Sequence, residues 1–336
     1  MASSDSPVAA APAAGDHDDV VTGGGSAAGA SGPDRPGSPG TRVLPGWSAV
    51  SRSPAWRRRA SLLGLLPFLA YTAVFLGLPT LSVVIDAFRD GQGHWTLHNV
   101  SLATSGVYRR GMVTSLKLSV LTAAISTVAG TLIAQAVLTT RRNSLLRRVV
   151  TTASGVFANF GGVPLAFVFI ATIGTTGMVT KWFNAVGFDL SSSGFSLFSF
   201  SGIAVVYSYF LVPLMVLTIT PALEGLRPQW QEAARNLGAS SFSYWRFVAL
   251  PVLTPALLGS FLLLFGSAFS AYATAEALTA GTVALTPLQI GNLLSGNVLA
   301  NGENLGKALG FSMIVVISFV MIGYILLSRR AARWLR

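Results

Sequence analysis

Six stretches of this chain, Leu62–Ile85, Met112–Leu138, Val149–Ile173, Gly202–Leu223, Val252–Ala275 and Leu309–Leu327, stay apolar for the length of a bilayer crossing. The hydrocarbon layer is about 30 Å thick, and a helix rising about 1.5 Å per residue needs about 20 residues to cross it. The chain therefore reads as an all-α polytopic membrane protein with six transmembrane helices. The third stretch is interrupted by Gly161, Gly162 and Pro164. Composition agrees: only 10% of the 336 residues are charged, less than half the roughly 25% of a soluble domain. That excludes a disordered chain, a coiled coil and an ordinary cytosolic enzyme. Without cysteine there is no disulfide framework, thiolate nucleophile or cysteine-based zinc site.

Residues 1–55 belong to a different regime. They hold few large apolar side chains, so they cannot bury enough surface to offset chain entropy and read as a disordered tail before a membrane domain at 56–336. Through Gly40 the acids Asp5, Asp16, Asp18, Asp19 and Asp34 face Arg35 alone, after which Arg42, Arg52, Arg57, Arg58 and Arg59 follow with no acid. A basic cluster before an apolar run is also how a signal peptide opens. Leu62–Ile85 is too long for the apolar region of one, and no small-residue cleavage site follows, so it reads as a retained first span.

Six spans place both termini on one side. The segments on that side carry the five arginines from Arg42 to Arg59, then Arg141, Arg142, Arg147 and Arg148, then Arg227, Arg235 and Arg246, and finally Arg329, Arg330, Arg333 and Arg336. The other side carries Arg89, Arg109, Arg110, Lys181 and Lys307, with Lys117 just inside the second span. Sixteen cations against five put both termini in the cytoplasm, because positive loops are retained there. The net charge of +11 is thus a topology signal, and nucleic acid is not expected as a partner. Asp86, Lys117 and Glu276 fall at span ends, and no charge falls near a bilayer centre. A charge there costs at least about 2.5–3.5 kcal/mol and is kept for proton relay or ion coupling. Its absence argues against a proton-coupled carrier and for energy delivered from outside the bilayer.

The loop between the fourth and fifth stretches, Glu224 to Pro251, is much longer than the other connection on its side. Trp230–Leu237 is rich in helix formers, with Gln231, Glu232, Ala233, Ala234 and Arg235 in the run. Gly238 is placed to end that helix in a left-handed turn. Ser240 or Ser241 is placed to cap a second helix through Phe242, Trp245 and Phe247, and Pro251 to open span five.

These residues resemble a known family. Glu232-Ala233-Ala234, Gly238 with Ala239 beside it, and then Val248, Leu250 and Pro251 resemble, in identity and spacing, the EAA motif of ABC-importer permease subunits. Val248 stands where isoleucine is commoner. The resemblance implies a coupling helix that docks on a separate ATPase. Ala233 and Ala234 would allow close approach, Gly238 the turn, and Glu232 electrostatic placement. His94-Trp95-Thr96-Leu97-His98-Asn99 followed by Thr114-Ser115-Leu116-Lys117-Leu118-Ser119 is similar to the outer segment and second-span opening of type I importer permeases. The implied fold is MetI-like, a five-helix core with a leading helix. Phe269-Ser270-Ala271-Tyr272-Ala273-Thr274, Pro287-Leu288-Gln289-Ile290 and Arg329-Arg330 resemble the spermidine/putrescine permease subgroup, which also takes in ferric-iron, thiamine and phosphonate importers.

The expected function is therefore the membrane-spanning permease subunit of a bacterial ATP-binding-cassette importer in the cytoplasmic membrane. Alternating access would carry a small solute, a polyamine first, with thiamine, ferric iron or phosphonate as alternatives. The implied partners are an ATP-binding subunit dimer, a second permease subunit (a different chain or a second copy), an extracytoplasmic solute-binding protein and the lipid bilayer. The chain has no G-x-x-x-x-G-K-[ST] loop. It is not expected to be an enzyme and has no catalytic residue; ATP and Mg²⁺ would sit on the partner subunit, with no cofactor here. A self-contained secondary carrier or channel is the rival reading, but it calls for midplane charges, inverted repeats or a pore loop, none of which is found.

Asn159, Tyr207, Tyr209, Ser270, Tyr272 and Glu276 are polar or amphipathic groups in the third to fifth stretches. They are candidates for the solute path, against the alternative that they bond helix to helix. His94 and His98 are four apart but lie in a loop beside Gly91 and Gly93, so no metal site is expected. Gly306 and Gly310 have close-packing spacing that a glycine-rich chain also produces by chance. Asp86, Asp90, Asp189, Glu276 and Glu303 share the outer side with its five cations, which leaves the solute's charge open.

Overall fold

The computed structural model describes residues 65–140, 144–187, 195–279, 281–295 and 302–333. The expected tail at 1–55, Arg141, Arg142 and Asp189 lie outside them. No strand forms among the described residues, and six helical segments are long and apolar enough to cross a membrane. The all-α, six-span class expected from the sequence is therefore what is observed.

The helices, in order, are α1 (Leu65–Ala87), α2 (His98–Ala103), α3 (Gly106–Leu138), α4 (Leu145–Asn159), α5 (Gly162–Ile173) and α6 (Met178–Ala185). They continue as α7 (Phe200–Glu224), α8 (Pro228–Asn236), α9 (Ser241–Phe269), α10 (Ala273–Thr279), α11 (Thr286–Leu294) and α12 (Gly302–Arg333). α3 begins before Met112 and α12 before Leu309. Polar first turns such as Tyr108-Arg109-Arg110 remain helical although they are not apolar.

The centre of the bundle is α3, α7 and α9, where Leu118, Tyr207, Leu211, Met215, Leu253 and Phe265 are buried together. α7 is apolar all round and holds ten buried residues, as a helix surrounded by others must. α3 and α7 meet at Gly130, where a Cβ would lie 2.5 Å from Met215 Cβ and 2.9 Å from the Val212 carbonyl oxygen. Hydrogen alone fits between them. Gly130→Leu is expected to destabilise the bundle by about 1–3 kcal/mol through overpacking. The readout is a lower thermal midpoint of the purified protein in detergent; an unchanged midpoint would show that α3 and α7 part freely.

α1 stands at the periphery, packed along α12, with Phe68, Phe75 and Leu76 bare on its outer side. Its end is pinned by polar contacts: Lys307 Nζ lies 3.2 Å from Asp86 Oδ2 and 2.7 Å from Glu303 Oε1, and Ser82 Oγ donates to Asp86. Below that point Asp90 closes a short turn, accepting from the His94 and Gln92 amides. The His94 amide above all holds the Asp90 carboxyl below the usual carboxylate range.

Two expected spans need correction. Val149–Ile173 is not one helix. α4 stops at Asn159, Gly161 is extended, and Gly162 turns the chain at φ +74, a conformation glycine adopts without strain. Pro164 lacks an N–H, so no helical bond can run from it back to Phe160. The Gly162 amide donates instead to Thr274 Oγ1 on α10, at 2.9 Å. α4 runs antiparallel along the second half of α7, and α5 turns onto α10. By length and apolar content the third candidate span is Gly162–Ala185, itself turned between α5 and α6.

The fifth span is not Val252–Ala275 either. Its helix begins at Ser241 and ends at Phe269, and the chain re-forms as α10 at Ala273. Glu276 therefore lies within a short separate helix rather than at the end of a span. Lys117 sits a third of the way along α3 with its side chain exposed.

Candidate functional site: the loop between α7 and α9

α7 ends at Glu224, and three residues later Pro228 opens α8 at its first turn, where a missing N–H does no harm. The sequence places this helix at Trp230–Leu237, and the structure places it at Pro228–Asn236 with Leu237 as its cap. No residue of α8 is buried: Glu232 and Ala233 are exposed and Ala234 is half-buried. An amphipathic nine-residue helix that buries nothing within its own chain owes its order to its ends.

Those ends are well made. Gly238 adopts φ +78, the Gly238 amide donates to the Arg235 carbonyl and the Ala239 amide to the Ala234 carbonyl, both at 2.9 Å. This pair of bonds is the Schellman closure. Ser240 then caps the next helix, its Oγ accepting from the Ser243 amide at 3.2 Å. The helix–glycine turn–helix expected from the sequence is present.

One feature differs from the expectation. The second helix of the loop does not stop before Pro251; it is the first part of α9. A wide turn over Trp245–Ala249, closed by the Leu250 amide on the Trp245 carbonyl, carries it on without a break. Val248, Leu250 and Pro251 thus lie inside one rod that runs from Ser241 to Phe269. The loop's second helix and the fifth span are one continuous helix. Leu237, Phe242 and Phe247 project from this corner at 88%, 71% and 71% exposure.

The loop is braced from below. Arg147, near the start of α4, pairs with Glu224, the last residue of α7. Arg227 is turned away over the Trp230 ring, 5.9 Å from its centre. Between loop and bundle lies a cavity of about 350 Å³ lined by Gln135, Thr139, Arg147, Glu224, Gln231 and Trp245. The Arg147–Glu224 contact is not legible in the sequence, since the two residues are 77 positions apart and nothing local marks either.

The candidate path residues are partly gathered. The Gly162–Thr274 bond joins the break after α4 to the break after α9, and the Tyr207 hydroxyl donates to the Ala271 carbonyl at 2.9 Å. Asn159, Tyr207, Ser270, Tyr272 and Glu276 are set around these two breaks. Tyr207 is 1% exposed and ties α7 to the break after α9. Tyr209 is held between Phe157 and Phe169, with ring centres at 5.6 and 5.4 Å. Asn159 Nδ2 and Ser270 Oγ bond carbonyls of their own helices. Tyr272 is exposed, with its ring over Gly291. Glu276 is half-buried, and its Oε2 has no hydrogen-bond partner among the described residues.

Comparison with known proteins places this architecture. The signature of the family described as binding-protein-dependent transport system inner membrane component matches residues 126–335, which include α4 to α12 and the whole loop. A ferric transport system permease protein of Haemophilus influenzae is 28% identical over 287 residues, 82% of this chain and 43% of that protein. The chain thus spans less than half the length of this relative. A sulfate transport system permease protein of Salmonella typhimurium is 41% identical over 68 residues, 20% of this chain and 24% of its own. A spermidine/putrescine permease protein of Haemophilus influenzae is 30% identical over 117 residues, 34% of this chain and 40% of its own. Among solved structures, a bacterial ABC transporter that imports the polysaccharide alginate superimposes with a TM-score of 0.64 at 18% identity, over 83% of this chain and 99% of that one. The match across most of the bundle, with the loop inside it, shows that this chain belongs to the binding-protein-dependent transport system inner membrane component family.

Proposed function

We propose that the chain is the permease subunit of an ATP-driven importer and that the 225–240 loop is the surface on which a separate ATPase dimer acts. The observation that carries this reading is the corner at Gly238: an exposed helix and a closed glycine turn, rigidly continuous with a membrane-crossing helix. Such a corner turns a push on α8 into a tilt of α9. The 16-to-5 distribution of cations supports placing the loop and both termini on the cytoplasmic side. The opposite side then receives solute from a binding protein, as the family description implies. The ferric relative matches this chain over less than half of its own length, which leaves it room for a second unit of this size. That supports a working pair of permease units, built from two different chains or two copies.

Ferric iron is the solute we favour, because the ferric relative matches over four-fifths of this chain, whereas the polyamine relative matches over a third. The test is uptake of radiolabelled ferric iron, sulfate, putrescine and spermidine by cells with and without the gene. ATP-dependent uptake of iron that disappears with the gene supports the reading. Loss of sulfate or polyamine uptake instead reassigns the solute, and uptake that persists without ATP overturns the importer mechanism.

A further inference from the structure

The loop has two roots in the bundle, and they differ physically. On the α9 side the connection is covalent and helical, so motion passes directly. On the α7 side the chain leaves through Gly225-Leu226-Arg227, three residues outside any helix. Glu224 stands at that root with its carboxylate on Arg147, whose side chain is 17% exposed. Arg227, the nearest alternative cation in sequence, is engaged over Trp230. α4 in turn ends at the break whose Gly162 amide bonds Thr274, so a helix held at one end by the loop root reaches the candidate path at the other.

We propose that Arg147 and Glu224 are positioning residues that make α4 move as one body with the 225–240 loop, giving the ATPase a second lever besides α9. This rests on the docking reading above. The cavity beneath the loop shows why the pair is needed. With about 350 Å³ of open space between α8 and the bundle, α8 itself packs little on α4, which lies instead along α7. The pair bridges two helices, with the Arg147 side chain half-buried and that of Glu224 43% exposed.

The chain has no cysteine, so introduced thiols are the only ones it carries. Leu145, at the start of α4, and Leu237, at the end of α8, are 75% and 88% exposed and suit spin labels. In the reconstituted complex the 145–237 distance is expected to stay constant when ATP, Mg²⁺ and vanadate are added. In Glu224→Gln or Arg147→Gln it is expected to shift by about 1–5 Å, the range of helix slips. The charge swap Arg147→Glu/Glu224→Arg is expected to restore a constant distance, which a merely structural role would not do. An unmutated distance that already changes with ATP overturns the proposal, as do single variants that behave like the parent or a swap that does not restore. Should a single variant fail to accumulate, the swap alone decides. A thiol at Leu237 that cannot be cross-linked to the ATPase in the unmutated complex overturns the docking reading itself. A normal cross-link beside a failed distance test overturns only the Arg147–Glu224 proposal.

Discussion

Gly238→Val is expected to abolish ATP-driven uptake while leaving the protein in the membrane. At φ +78 a β-branched side chain clashes with its own backbone, at a cost of about 1–3 kcal/mol for a non-glycine residue held there. The loop is the cheapest place to release that strain. Nothing in α8 is buried, and two bonds close the turn that sets its direction, Gly238 to Arg235 and Ala239 to Ala234. With the turn opened, α8 no longer stands at a set angle to α9. The effect should follow backbone tolerance rather than size: Gly238→Asn, which accepts a left-handed turn at little cost, should keep most uptake. A valine variant with normal uptake, or an asparagine variant as inactive as valine, would show that the turn does not set the loop's direction.

Charge reversal at Glu232 should be comparably severe by a different route. Glu232 is the one acid between Gly225 and Pro251, in company with Arg227, Arg235 and Arg246. It is exposed and has no salt bridge to another described residue. On the docking reading it meets a cation of the ATPase. Removing one member of a desolvated charge pair across an interface costs about 2–5 kcal/mol, equivalent to roughly 30- to 4,000-fold in affinity. Glu232→Lys is expected to prevent co-purification with the ATPase subunit and to eliminate uptake, with Glu232→Gln intermediate. Because the residue is exposed, the thermal midpoint of the chain alone should not move. A lysine variant that still co-purifies with the ATPase would rule out an electrostatic role for this position.

Both predictions come from residues that are legible in one dimension. The loop announces itself through local chemistry: helix formers from Gln231 to Arg235, a glycine past their end and serines after it. The bonds that realise it, Gly238 to Arg235 and Ser243 to Ser240, span three residues each. The spans are legible for a similarly simple reason, since the apolar content of twenty consecutive residues needs no knowledge of their neighbours. Errors appear where the outcome depends on a distant partner. Val149–Ile173 reads as one apolar run, yet the unbonded amide at Gly162 is satisfied by Thr274, 112 positions away. The end of α9 at Phe269 is fixed partly by the Tyr207 hydroxyl on the Ala271 carbonyl, 64 positions away. Hydropathy registers neither contact, and so it puts Glu276 at the end of a span to which the residue does not belong.

The sequence by itself determined that this chain has six segments long and apolar enough to cross a membrane, where its cations cluster along the chain, and that one of its loops is a helix–turn–helix of a particular spacing. Hydrophobic transfer, charge placement and turn chemistry are all properties of short segments. Only the tertiary structure decided where the apolar runs break, that the loop helix and the fifth span are one rod, and that Arg147 meets Glu224 beneath the loop. Each of these turns on which polar group finds which partner once the helices are packed. In a low-dielectric bundle an unpaired backbone amide is costly to leave, so the packing, not the local sequence, sets where the chain bends.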